Sequence, residues 1–284
     1  MNSTIMGLFA QTSIAAGTGQ SLGVIDLPIM REAPTGYPVV FGSALKGAMR
    51  AKSEIVNEAV TKEIFGDDDK GGSKYAGALI VGDAKLLLLP VRSMTTHFKW
   101  VTCPYLIERF KRDLQMCGKS CEFESVAIKE FDAAFVPDDG NEGVLYLEEF
   151  AIECKKADLS KLIEAIRVLM GEDKSRLEKQ LVIVSDDMFN HLSQFATPVN
   201  AHIAIDSATK IVENGALWYE ETLPPETLLY SVLLANGSRK AESNGLNLPD
   251  KVMEQTKAIF ADKYLQVGGN ETVGMGWCKV VFNG

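Results

Sequence analysis

The chain lacks the surplus of positive charge expected of a free-standing nucleic-acid binder. Its 29 Lys and Arg are set against 38 Asp and Glu, a net charge of −9 at pH 7. The molecule as a whole therefore repels a phosphate backbone, and any contact with RNA or DNA needs bases gathered locally or supplied by basic neighbours. It also lacks a CxxC pair. Five cysteines (Cys103, Cys117, Cys121, Cys154 and Cys278) are an odd number with no secretory signal before them, the pattern of a reducing cytosol. His97 upstream of three of these cysteines has the wrong spacing for a known zinc finger, so they read as buried thiols. No basic region opens the chain, and the apolar run 86–91 is much too short to span a bilayer. These absences lead us to expect a soluble, cytoplasmic protein with no membrane partner.

What is present is size and an ordinary apolar share. With 284 residues, 46% hydrophobic and 24% charged, the chain can bury a substantial core as one large or two intimately joined domains. The periodicity predicts a first strand over 4–14, a helix over 43–65, strands over 78–84 and 85–91, and a helix over 102–117 capped by Thr102. It goes on to predict a strand over 144–153, a helix over 160–170, and a helix capped by Ser185 or an aspartate and running through Phe195. Alternation at 201–206 and 215–220 permits a hairpin. A turn at 223–227 leads into a strand over 228–234, followed by a helix over 249–264 and a closing strand over 277–282. The acids at 67–69 lack calcium-loop spacing and read as a solvated tip. The outline is α+β.

The stretch 17–50 carries the most chemistry. Gly17, Gly19 and Gly23 form a glycine-rich loop that ends at Asp26, an acid set among Val24, Ile25, Leu27 and Ile29. Pro28 biases Leu27 away from helix. From the residues alone, Asp26 is either a turn former beside a buried segment or a working carboxylate on a stiff support. Ser43 reads as the N-cap of the helix that follows, with Lys46 and Arg50 on one face of its first two turns. Like charges at that spacing cost a few tenths of a kcal/mol, about 0.2–0.5, and they sit where the helix dipole prefers acids. Both penalties are relieved by an anion, and free N–H groups beside Lys46 suit a phosphate. The alternative is a solvated basic face.

A second glycine loop covers 266–276. Gly269 and Gly274 have the spacing of a P-loop, but Met275 and Gly276 replace its Lys and Ser/Thr. The loop also follows a helix and precedes a strand, the reverse of a nucleotide-binding turn. ATP is not its ligand; close approach to a phosphate chain remains open.

Taken together, the run 22–31, the Thr35-Gly36-Tyr37-Pro38 bridge, 42–50, 83–93 with 100–114, and the loop 266–276 resemble the backbone subunits of type III-B (Cmr) CRISPR effector complexes, of the RAMP superfamily. The resemblance covers nearly the whole chain. It implies a single RAMP domain over 1–284 with a ferredoxin-like, RNA-recognition-type core, helical insertions, and an inserted β-hairpin thumb at about 195–222 that includes His202. It further implies a filament of copies along a guide (CRISPR) RNA, other Cmr subunits as partners, and cleavage of a complementary single-stranded target RNA at regular intervals.

The catalytic acid of that family falls at Asp26, with a divalent metal (Mg or Mn) as cofactor and Asp26 as its ligand. Glu226, on its Pro-Pro-Glu-Thr turn, is a second candidate catalytic acid, or else a cap of that turn. The expected RNA-binding residues are Gly17, Gly19, Ser43, Lys46, Arg50, Gly268, Gly269, Gly274 and Gly276. One departure stands out: the family commonly carries a histidine shortly before the Gly-x-Gly, and Ala15 (or Ala16) stands there. A non-catalytic filament scaffold is therefore the alternative. A guide-processing endoribonuclease acting alone fits less well, because the filament motifs are present and a histidine-rich loop is not.

Overall fold

The computed structural model describes residues 1–21, 23–67, 75–124, 126–128, 130–138, 143–172, 174–240, 243 and 245–283, with backbone only at 213–215. The acidic loop tip read at 67–74 lies outside the described residues apart from Asp67.

The first half of the chain runs β1 (Asn2–Ala10), β2 (Val39–Val40), α1 (Gly42–Phe65), β3 (Leu79–Val81), β4 (Ala84–Arg92), β5 (Phe98–Thr102), α2 (Pro104–Met116), β6 (Ala133–Pro137), β7 (Gly143–Leu147) and β8 (Phe150–Ala157). The second half runs α3 (Ser160–Met170), α4 (Lys174–Gln180), β9 (Leu181–Val184), α5 (Asp186–Phe195), β10 (Val199–Ile205), β11 (Val212–Glu221), β12 (Leu228–Ala235), α6 (Pro249–Ile259), β13 (Tyr264–Gln266) and β14 (Trp277–Asn283). Twelve strands form one mixed sheet along the path β13-β14-β1-β12-β4-β5-β9-β6-β8-β7, with β2 on β4 and β3 on β12. Strands β10 and β11 pair only with each other.

The sheet separates two apolar layers because its strands alternate. In β1, Met6, Leu8 and Ala10 face a core that includes Leu45 and Met49 of α1, Phe189 of α5 and Val252 of α6. Ile5 and Phe9 face the other core, with Phe110 of α2, Ile166 of α3 and Leu177 of α4. Strand β4 breaks the alternation: Leu87 and Leu88 share one face while Leu86 and Leu89 share the other. A register shift against β12 accommodates this. All four leucines are fully buried, each contributing about 1.5–3 kcal/mol of hydrophobic stabilisation.

Several sequence expectations need correction. Ser43 does not cap α1; Phe41 is the N-cap, without a side-chain bond. Thr102 ends a strand, and Cys103 precedes α2. The strand expected over 144–153 is a hairpin, β7 and β8, turned at Glu148, whose φ of 49° ends the first strand. The last helix stops at Ile259, and Lys263, with φ of 62°, turns the chain into β13. By contrast, α3 spans 160–170 as expected, and Ser185 Oγ accepts from the Met188 N–H at the start of α5.

Candidate nucleic-acid interface

The segment between β1 and β2 is positioned by isolated bridges rather than by a long strand. Ile14 pairs with Leu223, Gly17 with Ile29, Leu27 with Glu220 and Arg31 with Pro38. The Gly17–Ile29 pair closes a neck, tightened by the Met30 N–H to the Ala16 carbonyl at 2.7 Å. The loop then runs alongside β11: Leu27 N–H donates to the Tyr219 carbonyl at 3.1 Å, and Glu221 N–H to the Leu27 carbonyl at 3.0 Å.

Asp26 sits where this pairing begins. Its backbone carbonyl accepts from the Ser21 N–H at 2.8 Å. Its Oδ2 accepts from the Tyr219 N–H, also at 2.8 Å. Among the described residues, Oδ1 has no hydrogen-bond partner. The side chain is thus fixed on a backbone support while one oxygen stays available, with Val24 at the neighbouring loop tip 95% exposed.

A cavity of about 270 Å³ lies beside the loop's neck, lined among others by Ala15, Gly17, Ser43, Ala44, Gly268 and Gly269. It therefore joins both glycine loops to the start of α1. The Gly42 N–H is taken by Asp83 Oδ1 at 2.7 Å, so an acid does serve this helix end, supplied from the turn before β4. Among the described residues, nothing accepts from the Ser43 and Ala44 N–H groups, which leaves two amides suited to an anion.

The second glycine loop packs against the first. Gly269 N–H donates to the Ala15 carbonyl at 2.8 Å. At Gly268 (φ 90°) an added Cβ would lie 2.6 Å from the Ala15 oxygen, and at Gly276 (φ 84°) 2.1 Å from the Val267 oxygen. Glycine is required there by backbone close approach. Gly19 and Gly274 have nothing within 4 Å of a built Cβ, and at Gly17 the nearest atom is the Pro28 oxygen at 3.7 Å, an ordinary contact.

The remaining sequence candidates separate. Lys46 is partly buried and makes no ion pair among the described residues. Arg50, on the same face, donates to Glu54 at 3.0 Å and to the Gly66 carbonyl at 3.1 Å. Glu226 shares no contact with Asp26. It has a left-handed φ of 71°, its Oε2 accepts from Arg176 at 3.0 Å, and its carbonyl accepts from the Trp100 indole at 2.9 Å.

Sequence reasoning missed the residues that brace the loop. Glu221, at the end of β11, and Arg31 form a largely buried ion pair. Glu220 accepts from Asn270 of the second glycine loop at 2.7 Å, and its Oε2 lies 3.4 Å from His202 Nε2, too far off line for a hydrogen bond. The paired acids closing an alternating strand were the available signal.

The donor set for a metal is thin. Among the described residues, no three His, Cys, Asp or Glu cluster closely enough to hold an ion. Asp26 offers a single carboxylate with one oxygen engaged, so the chain alone does not build a closed site. The thiols are free, and all but Cys121 are buried. Burial pushes Cys154 up to about 11 and Cys278 to about 12, so they stay protonated rather than metal-binding.

Beyond the loop, β10 and β11 stand out as a hairpin with an apolar exposed face. Ile203 lies opposite Leu217, and Ala201 opposite Tyr219. Ile203, Leu217 and Tyr219 are 49%, 55% and 42% exposed. On the other face His202 stacks on Trp218 with centroids 5.4 Å apart. Among the described residues, no helix is long and apolar enough to cross a membrane.

A strand-and-helix sheet carrying two interlocked glycine loops and an anion-ready helix start defines the class. The RAMP superfamily model matches residues 10–279, and the chain belongs to that superfamily. Among individual relatives, it is 37% identical to the CRISPR system Cmr endoribonuclease Cmr4 of Pyrococcus furiosus, across 99% of this chain and 95% of that protein. The crystal structure of oligomeric Cmr4 from Pyrococcus furiosus matches with a TM-score of 0.77 at 32% identity, covering 100% of this chain and 98% of that one. The cryo-EM structure of the Type III-B Cmr-beta bound to cognate target RNA shares the fold, with a TM-score of 0.75 at 22% identity and 99% and 97% coverage.

Proposed function

We infer that this chain is the repeated backbone subunit of a type III-B CRISPR effector complex, an endoribonuclease that lies along a guide RNA and cuts complementary single-stranded target RNA. The observation that carries the reading is the 37% identity to a Cmr endoribonuclease over 99% of the chain. Its partners are guide RNA, target RNA, further copies of itself and the other Cmr subunits, in the cytoplasm. The chain acts as one RAMP domain with a ferredoxin-like core, and the hairpin of β10 and β11, within about 195–222, serves as the thumb.

In this reading the cavity at the start of α1 takes a guide phosphate on the Ser43 and Ala44 amides, with Lys46 alongside and the glycines of both loops lining the path. The apolar hairpin face splays a base out of the duplex, which lets the ribose 2′-hydroxyl line up with the neighbouring phosphate. Most of the acceleration comes from that positioning. Asp26 takes the hydroxyl proton on Oδ1 as the 2′-oxygen bonds to phosphorus and the P–O5′ bond breaks, the leaving 5′-oxygen taking its proton from water. A divalent ion (Mg or Mn), if bound, would be held by that same Oδ1 and would supply charge stabilisation, the chain by itself giving it one carboxylate. Glu226 is already neutralised by Arg176, so it acts on RNA together with that guanidinium or not at all.

The test is to incubate the assembled complex with labelled complementary RNA in magnesium, in chelator, and with Asp26→Asn. Ladder-like cuts that vanish in the last two arms support the reading. A second reading, a scaffold that binds without cutting, is favoured by Ala15 in place of the histidine common in the family; RNA that stays bound and intact in every arm would establish it.

A further inference from the structure

Asp26 owes its place to a residue that the sequence hides. We propose that Glu221 is the positioning residue of the Asp26 loop, a buried carboxylate that joins the loop, the hairpin stem and the end of α5 into one body. The inference rests on the reading that Asp26 acts on RNA.

Three donors from two segments converge on this one carboxylate. Ile29 N–H, immediately after Pro28, donates to Oε2 at 3.1 Å. The Thr197 hydroxyl, just before β10, donates to Oε1 at 2.6 Å, and Arg31 donates to the same oxygen. Only 4% of the Glu221 side chain is exposed. Its own backbone N–H holds the Leu27 carbonyl at 3.0 Å. Glu221 therefore grips the loop on both sides of Pro28, which has no N–H to offer, and Asp26 immediately precedes that grip.

Arg31 extends the clamp. Its Nη1 donates to the Gly36 carbonyl at 3.0 Å and to the Ser193 carbonyl of α5 at 2.9 Å. A buried carboxylate whose oxygens are satisfied by an amide N–H, a hydroxyl and one guanidinium nitrogen is rigid, and removing one member leaves the others unpaired. The hairpin that meets RNA and the loop that carries Asp26 therefore move together or not at all. A displacement of the reacting group by about 1 Å costs up to about 10²-fold in rate.

The test uses complexes reconstituted from wild-type, Glu221→Gln, Thr197→Val, Arg31→Lys, Arg31→Gln and Asp26→Asn subunits. Single-turnover cleavage is measured beside target affinity and particle assembly. Glu221→Gln puts an amide NH₂ among three donors; cleavage is expected to slow about tenfold to hundredfold while target Kd stays within about twofold. Thr197→Val, which removes one donor without changing shape, slows cleavage about threefold. Arg31→Lys recovers part of what Arg31→Gln loses, and Arg31→Gln with Glu221→Gln is no worse than Glu221→Gln alone.

The inference is overturned if Glu221→Gln cuts within about twofold of wild type, or if affinity and assembly fall in step with cleavage. Should Glu221→Gln not assemble, unchanged cleavage by Thr197→Val overturns it. Wild-type cutting by Asp26→Asn brings down the underlying reading instead; an inactive Asp26→Asn beside a normal Glu221→Gln brings down the clamp alone.

Discussion

Asp26 and Glu226 are both acids on proline-bearing turns, and the structure treats them in opposite ways. Asp26 is fixed through one oxygen by a backbone N–H from Tyr219, which leaves its charge uncompensated by any cation among the described residues. Glu226 is fixed through a guanidinium, which stacks in turn over Trp100 at 4.9 Å. A carboxylate held by an amide keeps its charge for a ligand, whereas one held by arginine has already spent most of it on a neighbour. Burial alone does not separate the two; the identity of the donor does. The glycines repeat the contrast between open and committed: Gly19 has nothing within 4 Å of a built Cβ, while Gly276 has the Val267 oxygen at 2.1 Å.

The largest effect that would sharpen this comparison is on cleavage. Asp26→Asn keeps the shape and the Tyr219 contact but loses the charge, and the cleavage rate of the assembled complex is expected to fall about 10²–10⁴-fold with target binding retained. Parallel loss of binding would show that Asp26 holds the loop rather than acts on RNA. Next comes a stability effect. Gly276→Ala combines a left-handed backbone with a close carbonyl and should cost about 3 kcal/mol, against about 1–2 kcal/mol for Gly19→Ala. Thermal melting of the free subunit reads the difference, and equal melting temperatures would erase the distinction between the two loops.

Glu226→Gln is expected to slow cleavage less than about tenfold, because its partly exposed pair with Arg176 is worth at most about 1 kcal/mol. A loss matching that of Asp26→Asn would place both acids in the reaction. The smallest effect is electrostatic. Lys46→Glu should weaken guide RNA binding and lower its salt slope by about one. Arg50→Glu should lower the melting temperature instead, since that side chain already ties Glu54 and Gly66 together. Salt-dependent binding that is unchanged in Lys46→Glu would remove the helix start from the interface.

How much of this was legible in the sequence depended on how local the cause was. Helix α3 and the Ser185 cap follow from residues within one turn of each other; the helix was read at its observed bounds, and Ser185 was one of the two caps the sequence offered. Strands β5 and β9 were not, because their stability comes from pairing with each other across about 80 residues of chain. Glu148 and Lys263 turn the backbone with positive φ although neither is Gly or Asn, so the signals that normally mark such breaks were missing. In the site, the Asp26 loop and the helix start were readable from glycine, proline and charge. Glu221 was not, since its partners lie about 24 residues away at Thr197 and about 190 away at Ile29 and Arg31. The one signal at 221, a pair of acids closing an alternating strand, does not distinguish a clamp from a solvated strand end.

The most direct test is an image of the assembled particle with guide and target RNA bound, at a resolution that shows side chains. The account predicts Asp26 Oδ1 within hydrogen-bond or single-water reach, about 3 Å per contact, of a ribose 2′-hydroxyl or phosphate at the cut site, with Oδ2 still on the Tyr219 amide. An Asp26 carboxylate facing no sugar–phosphate linkage, with RNA seated elsewhere on the subunit, would contradict it.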